Sequence, residues 1–298
     1  MRDLFRAEWL KIAGNRWVAG CLVWIFPMVA VAFLVVAALV LSLSSGAREG
    51  FRQDESTPWT ENAIGIWNVP NNPVGRLILL GFTAVVFAGE YQWQTWKNVV
   101  PRNRRVALIV IKFLALGVFV VVAFLLMSII WTVGWGLLCQ IADVPYGPTI
   151  TGDVLSDFAG DYALAAALAF TSTIIAAGYA ALAAMLTRSI LGGVLVGFGL
   201  TFAENLSIVA LILIGAFLDI PRIVHLYQFT PGYNLLNVAS WINDNVAMNM
   251  DVEVGRKTTY ITYIFSDSLT FSIVVLAAWV GGLIALTAFL FRRQDITS

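Results

Sequence analysis

Few residues in this chain carry side chains able to do chemistry, and their placement is the first clue. There is one histidine, His225, and there are two cysteines, Cys21 and Cys139. A single histidine excludes a bis-histidine haem and a His-rich metal site. The two cysteines lie far apart, in or beside apolar runs, and read as small apolar residues rather than metal ligands or a disulfide framework. No GxxxxGK[ST] loop, HExxH helix or nucleophile elbow occurs, so the chain does not itself cradle ATP phosphates or present a hydrolytic constellation. What remains is a handful of titratable groups against apolar sequence: Glu204 in LTFAENLSIVA, and Glu90 and Lys112 nearer a boundary. On a helical rise Glu204 is roughly 24 Å beyond Arg188. A carboxyl at that depth in a membrane must face protein or water. It reads either as the wall or gate of a conduit, or as the cap or hinge of a helix that breaks before Asn205.

A second concentration of chemistry is cationic. Residues 90–105 read EYQWQTWKNVVPRNRR. Trp93, Trp96 and Val100 recur at one helical face. Pro101 disfavours helix at Val100 and stops it there. Arg102, Arg104 and Arg105 follow at once. This is a short amphipathic basic segment suited to a membrane surface, either as an interfacial anchor or as a docking element.

The elements that hold these residues are apolar helices. The chain has 298 residues, 59% hydrophobic and 12% charged, about half the charge of a soluble domain. A spanning helix needs roughly 20 apolar residues. The runs at 18–43, 74–93, 106–138, 162–186, 190–218 and 269–291 predict six spans and a single all-α transmembrane domain. The basic N-terminus followed by a run of spanning length, with no small-residue cleavage site, predicts a retained first span rather than a cleaved signal. Residues 1–16 predict an amphipathic interfacial helix, with Phe5, Trp9 and Ile12 on one face. The outer segment 219–268 predicts a short helix through Leu235, Leu236, Ala239 and Ile242, lying on the outer leaflet or packed on its own protein. Gly193 and Gly197 form a GxxxG in the fifth span, a candidate subunit or helix-packing face.

Charge orients the spans. Twelve of the 18 Lys and Arg fall in the N-terminus, the loops after the second and fourth spans with Lys112 beside them, and the C-terminus. The segment from Gln140 to Asp161 has four aspartates and no base. The positive-inside rule then predicts cytoplasmic termini in a cell membrane.

Glu90, Thr95, Lys97, Pro101, Arg104 and Lys112 together resemble the loop of the ABC-2 type permeases, the membrane subunits of a class of ATP-driven exporters. EWLKIAGNRW resembles the family's N-terminal amphipathic helix, and FRRQDI resembles its ending. The resemblance covers the chain in topology through short motifs. It implies the exporter fold of that family, with Glu90, Trp93, Thr95, Trp96, Lys97, Pro101, Arg102, Arg104 and Arg105 forming a coupling helix that docks on a separate cytoplasmic ATPase. It further implies a second permease subunit, the same chain or another, with Gly193 and Gly197 at the subunit face. A conduit beside the second and fifth spans would be gated near Glu204, Asn205, Pro231 and Tyr233. The chain would hold no cofactor itself; ATP and Mg would sit in the partner, expected in two copies. Lipid would surround the chain, and no nucleic acid is implied. The implied cargo is hydrophobic or amphipathic. Alternatives are a non-transporting subunit that drives an extracellular partner, a secondary carrier whose coupling-ion ligands are nearly absent, and a membrane enzyme without a catalytic constellation.

Overall fold

The computed structural model describes residues 2–14, 23–53, 58–93, 104–256 and 259–294. The helices are α1 (Arg2–Gly14), α2 (Ile25–Leu43), α3 (Ser45–Gln53), α4 (Trp59–Gly65), α5 (Pro73–Gln92), α6 (Arg105–Ala142), α7 (Gly152–Thr187), α8 (Ile190–Asn205), α9 (Ser207–Leu218), α10 (Pro231–Asn243) and α11 (Leu269–Arg293). Two 3₁₀ helices, Ile66–Asn71 and Pro221–Phe229, and one hairpin, β1 (Met250–Arg256) with β2 (Thr259–Phe265), complete the description. Among the described residues, five helices are long and apolar enough to cross a membrane: α2, α5, α6, α7 and α11. Counting the bent pair α8–α9 as one span makes six. The chain is a helical, multi-pass membrane protein by length and composition. Met28, Val31, Val35, Val36 and Leu39 of α2 stay exposed, as lipid-facing side chains do.

The chain forms two compact units, Met1–Phe82 with Ile111–Phe170, and Thr83–Val110 with Thr171–Ser298. In the first, α2 lies along α6. Phe26 meets Phe124 at 4.8 Å and Phe33 meets Trp131 at 5.2 Å between ring centroids. Leu34, Leu41 and Leu138 close the seam. Gly134 lets the Leu34 side chain pack directly against the α6 backbone, where a Cβ would force that side chain to shift. Helix α3 turns back and caps its neighbours: Arg48 Nε donates to Leu41 O at 3.2 Å, and Arg52 Nε donates to Ala142 O at 2.6 Å. Both guanidinium groups thereby serve carbonyls that a helix end leaves unpaired.

The described residues between α2 and α5, 44–53 and 58–72, fold back along α2. Helix α2 rises about 28 Å over its length. Yet Asn68, Val69, Val74 and Gly75 share a cavity with Ile25, Phe26 and Val29 of its first turns. The reason lies in the sequence of the return. Ala63, Ile66, Trp67 and Pro70 are all buried, Ser128 Oγ donates to Ala63 O at 3.0 Å, and Trp67 sits edge-on to Tyr162 at 5.8 Å. A segment this apolar gains more from burial than from water.

In the second unit, α8 packs on the latter part of α7 through small residues, and Gly178 of α7 admits Leu283 of α11. Beyond α8, a sub-core of Val224, Tyr227, Tyr233, Val252, Val254 and Phe265 joins α9, the second 3₁₀ helix, α10 and the hairpin. The hairpin alternates as its pleat requires: Val252, Val254 and Phe265 face inward while Asp251 and Glu253 are exposed.

The fold is predominantly helical, consistent with the expected all-α membrane protein, and it refines that expectation at three places. The segment 219–268 holds a short β-hairpin as well as helices. The fifth span is not one helix; α8 and α9 bend by 63° across Leu206. The fourth helix starts at Gly152, ten residues before the apolar run, capped by Thr151 Oγ1 accepting from Val154 N at 3.3 Å. Asp153, Asp157 and Asp161 lie four residues apart on its exposed face, so that charge does not oppose the helix.

Candidate functional site

Two sites carry the candidate chemistry in the second unit. The first is a clamp of helix ends around the basic segment. Arg105, the first residue of α6, donates from Nη1 to the carbonyls of Arg292 at 3.0 Å and Gln294 at 2.9 Å, capping α11. At the other end of the segment, Tyr91 of α5 donates its O–H to Gln294 Oε1. Gln294 Nε2 in turn donates to Met185 O at 2.6 Å. Arg188 lies over the Tyr91 ring at 5.9 Å, a cation–π contact. One cluster thus joins the ends of α5, α6, α7 and α11.

The expected coupling residues divide accordingly. Glu90 is buried and presents nothing to a docking surface. Arg105 is committed to carbonyls of its own chain. Trp93 is about half exposed and folds back over Gly89, where a Cβ would strike its ring. Arg104 is exposed at the start of α6. Thr95, Trp96, Lys97, Pro101 and Arg102 lie outside the described residues.

The second site is at the break of the bent span. Glu204, half-buried, accepts a hydrogen bond from the Tyr179 O–H at 3.0 Å. Its other carboxylate oxygen lies 3.8 Å from where a Cβ on Gly232 would stand. The carboxylate therefore meets the first turn of α10, whose partial positive charge favours an anion. Thr230 caps that turn, its Oγ1 accepting from Tyr233 N at 3.4 Å, and Pro231 is buried at the first helical position. Trp279 of α11 packs edge-on to Tyr179 at 6.0 Å and donates to Phe229 O at 2.8 Å. Burial, then the Glu204 charge, raises the Tyr227 pKa. Tyr233 is raised chiefly by burial and then by Asp267. Asn205 is exposed at the end of α8.

The structure thus brings Glu204 against the Pro231–Tyr233 turn, tying α7, α8, α10 and α11 together. Glu204 stands where the helix breaks, as the hinge reading expects, and it contacts the first turn of α10. Tyr179 and Trp279 were missed. They are polar aromatics within apolar stretches of their helices, and only the fold aligns them with Glu204. Gly193 and Gly197 are corrected. A Cβ on Gly193 would stand 2.9 Å from Ala84 and 3.0 Å from Ala184, and one on Gly197 would stand 3.0 Å from the Ala180 Cα. The GxxxG face is occupied inside the chain and is not free for another subunit.

In the first unit, the N-terminal helix holds a third unexpected feature. Glu8 Oε2 and Lys112 Nζ pair at 3.0 Å, both almost wholly buried. Trp9 stacks on Phe119 at 4.2 Å beside them. Among the described residues, no three His, Cys, Asp or Glu side chains converge as a metal site would require.

No protein-family model matches the chain. A search of curated proteins finds no relative either.

Proposed function

We propose that this chain is the permease subunit of an ATP-driven exporter of the ABC-2 type, powered by a separate cytoplasmic ATPase. The observation that carries the reading is the clamp. The basic, tryptophan-bearing segment leaves α5 and enters α6 at points tied to α7 and α11. A load applied to residues 94–103 is therefore shared among four helices instead of bending one. That is the mechanical requirement for a docking element that receives the stroke of another protein. The family resemblance supplies the partner: two ATPase subunits holding ATP and Mg, with a second permease beside this one.

The route from stroke to gate runs through small residues. Helix α5 carries the load to Ala84, which meets Gly193 of α8. Helix α8 continues from Gly193 to Glu204, about 16 Å away by helical rise. Movement of α8 strains the Tyr179–Glu204 bond and the contact of Glu204 with the α10 turn. Release of that lock opens the outer end for a hydrophobic or amphipathic cargo. The outer sub-core, with its own apolar centre and hairpin, favours a second reading in which the same stroke drives an extracellular partner rather than a cargo.

Affinity purification from the native host in mild detergent tests the proposal. Wild type is expected to bring down an ATPase bearing a Walker motif, and the double variant Trp96→Ala, Arg104→Glu to lose it. Purification of a stable permease assembly without any ATPase overturns the reading and reopens Glu204 as a carrier residue.

A further inference from the structure

The cavity in the first unit has no role in the proposal above. It encloses about 520 Å³, within the range of pockets that hold small organic ligands. Its walls come from the first turns of α2 (Ile25, Phe26, Val29), from the 3₁₀ helix and the loop after it (Asn68, Asn72), and from Met127 of α6. Val74, Gly75 and Ile78 of α5 close the remaining side. Gly75 is a packing device: a Cβ there would collide with the Val69 carbonyl, so glycine alone lets the 3₁₀ helix lie this close to α5.

Three observations define the occupant. The lining draws on α2 and α5, both long and apolar enough to cross a membrane. Two of its residues, Val29 and Val74, are 58% and 67% exposed, so the lining runs into exposed apolar surface of these helices. Among the described residues, no ionisable side chain lines the cavity, which disfavours a charged headgroup. The polar side chains among the described lining residues are Asn68 and Asn72, which adjoin each other in the fold, Asn72 N donating to Asn68 O at 3.2 Å. Asn72 Oδ1 accepts from Val74 N at 3.0 Å, which leaves its amide N–H groups as donors.

We infer that this cavity binds a single-chain, uncharged amphiphile drawn from the bilayer, its hydroxyl-bearing head on Asn68 and Asn72 and its chain along Phe26, Ile78 and Met127. The site does not depend on coupling to an ATPase. It holds equally if the chain proves to be a carrier.

The test uses the full chain in lipid nanodiscs with a diazirine-tagged monoacylglycerol as probe, and labelled peptides are mapped by mass spectrometry. Wild type is expected to label within residues 25–29, 66–78 or at Met127. Ile78→Trp, which fills the cavity, should cut that labelling at least tenfold while leaving labelling of α11 unchanged. Asn68→Leu should cut it severalfold without filling anything. If Ile78→Trp melts early, Val69→Phe is the second filling variant. Labelling that is spread over all exposed helices, or unmoved by both kinds of variant, is bulk lipid contact and overturns the site. Equal labelling by a tagged fatty-acid anion overturns the choice of an uncharged head.

Discussion

Lys112 and Glu8 are a salt-bridged pair held out of water. Their hydrogen bond at 3.0 Å fastens the N-terminal helix to α6. Removing one partner of a buried pair costs about 3–5 kcal/mol. Lys112→Ala is therefore expected to lower the detergent unfolding midpoint sharply, and Glu8→Gln with Lys112→Met to recover much of the loss, as read by a thermal melt. Tyr146 gives a prediction of pH dependence. Its O–H donates to Thr132 O at 3.1 Å, and burial pushes its pKa from 10.0 up to about 12. The folded state then favours the neutral phenol. Its contribution is fully present below about pH 10 and is lost as pH rises to about 12. Tyr146→Phe should flatten that part of the alkaline stability profile, and an unchanged profile would contradict the assignment. At the break, Tyr179→Phe and Glu204→Gln should each leave ATPase association intact while reducing cargo release severalfold in proteoliposomes.

At the scale of elements, the packing of α8 on α7 is set by glycine. Gly197→Leu places a side chain against the Ala180 backbone, with no flexible neighbour to yield. Overpacking of this kind typically costs about 1–3 kcal/mol, so Gly197→Leu should lose folded yield while Gly199→Leu, whose Cβ meets open space, should not. The apolar helices were legible because spanning runs are a strong compositional signal, and the outer helix was legible from the period of Leu235, Leu236 and Ile242. The bend at Leu206 was only half legible: Glu204 marked a break, but no proline or glycine announced its angle. The hairpin escaped notice because alternation in MDVEVGR and TYITYIF is short and sits in a segment read for helical period. The return of residues 44–53 and 58–72 along α2 could not be read at all. Its buried side, carried by Trp67 and Ile66, has no partner visible in sequence, since Phe124 and Tyr162 lie in other helices. The same holds for the site. Glu204 and the Pro231–Tyr233 turn were singled out in the sequence and lie together in the fold, but the aromatics beside them, Tyr179 and Trp279, are brought there by tertiary packing alone.

At the scale of the molecule, charge is scarce and unevenly placed along the sequence. On the reading proposed above, the energy comes from a partner ATPase, and the cluster of Tyr91, Arg105 and Gln294 is where its stroke would be received. The most direct measurement puts a photo-crosslinking amino acid in place of Trp96 in living cells and identifies what it captures. The account predicts a covalent adduct with a cytoplasmic ATPase carrying a Walker motif, diminished when Arg104 is changed to Glu. Capture of lipid or of this chain alone, with no ATPase at any expression level, would contradict it.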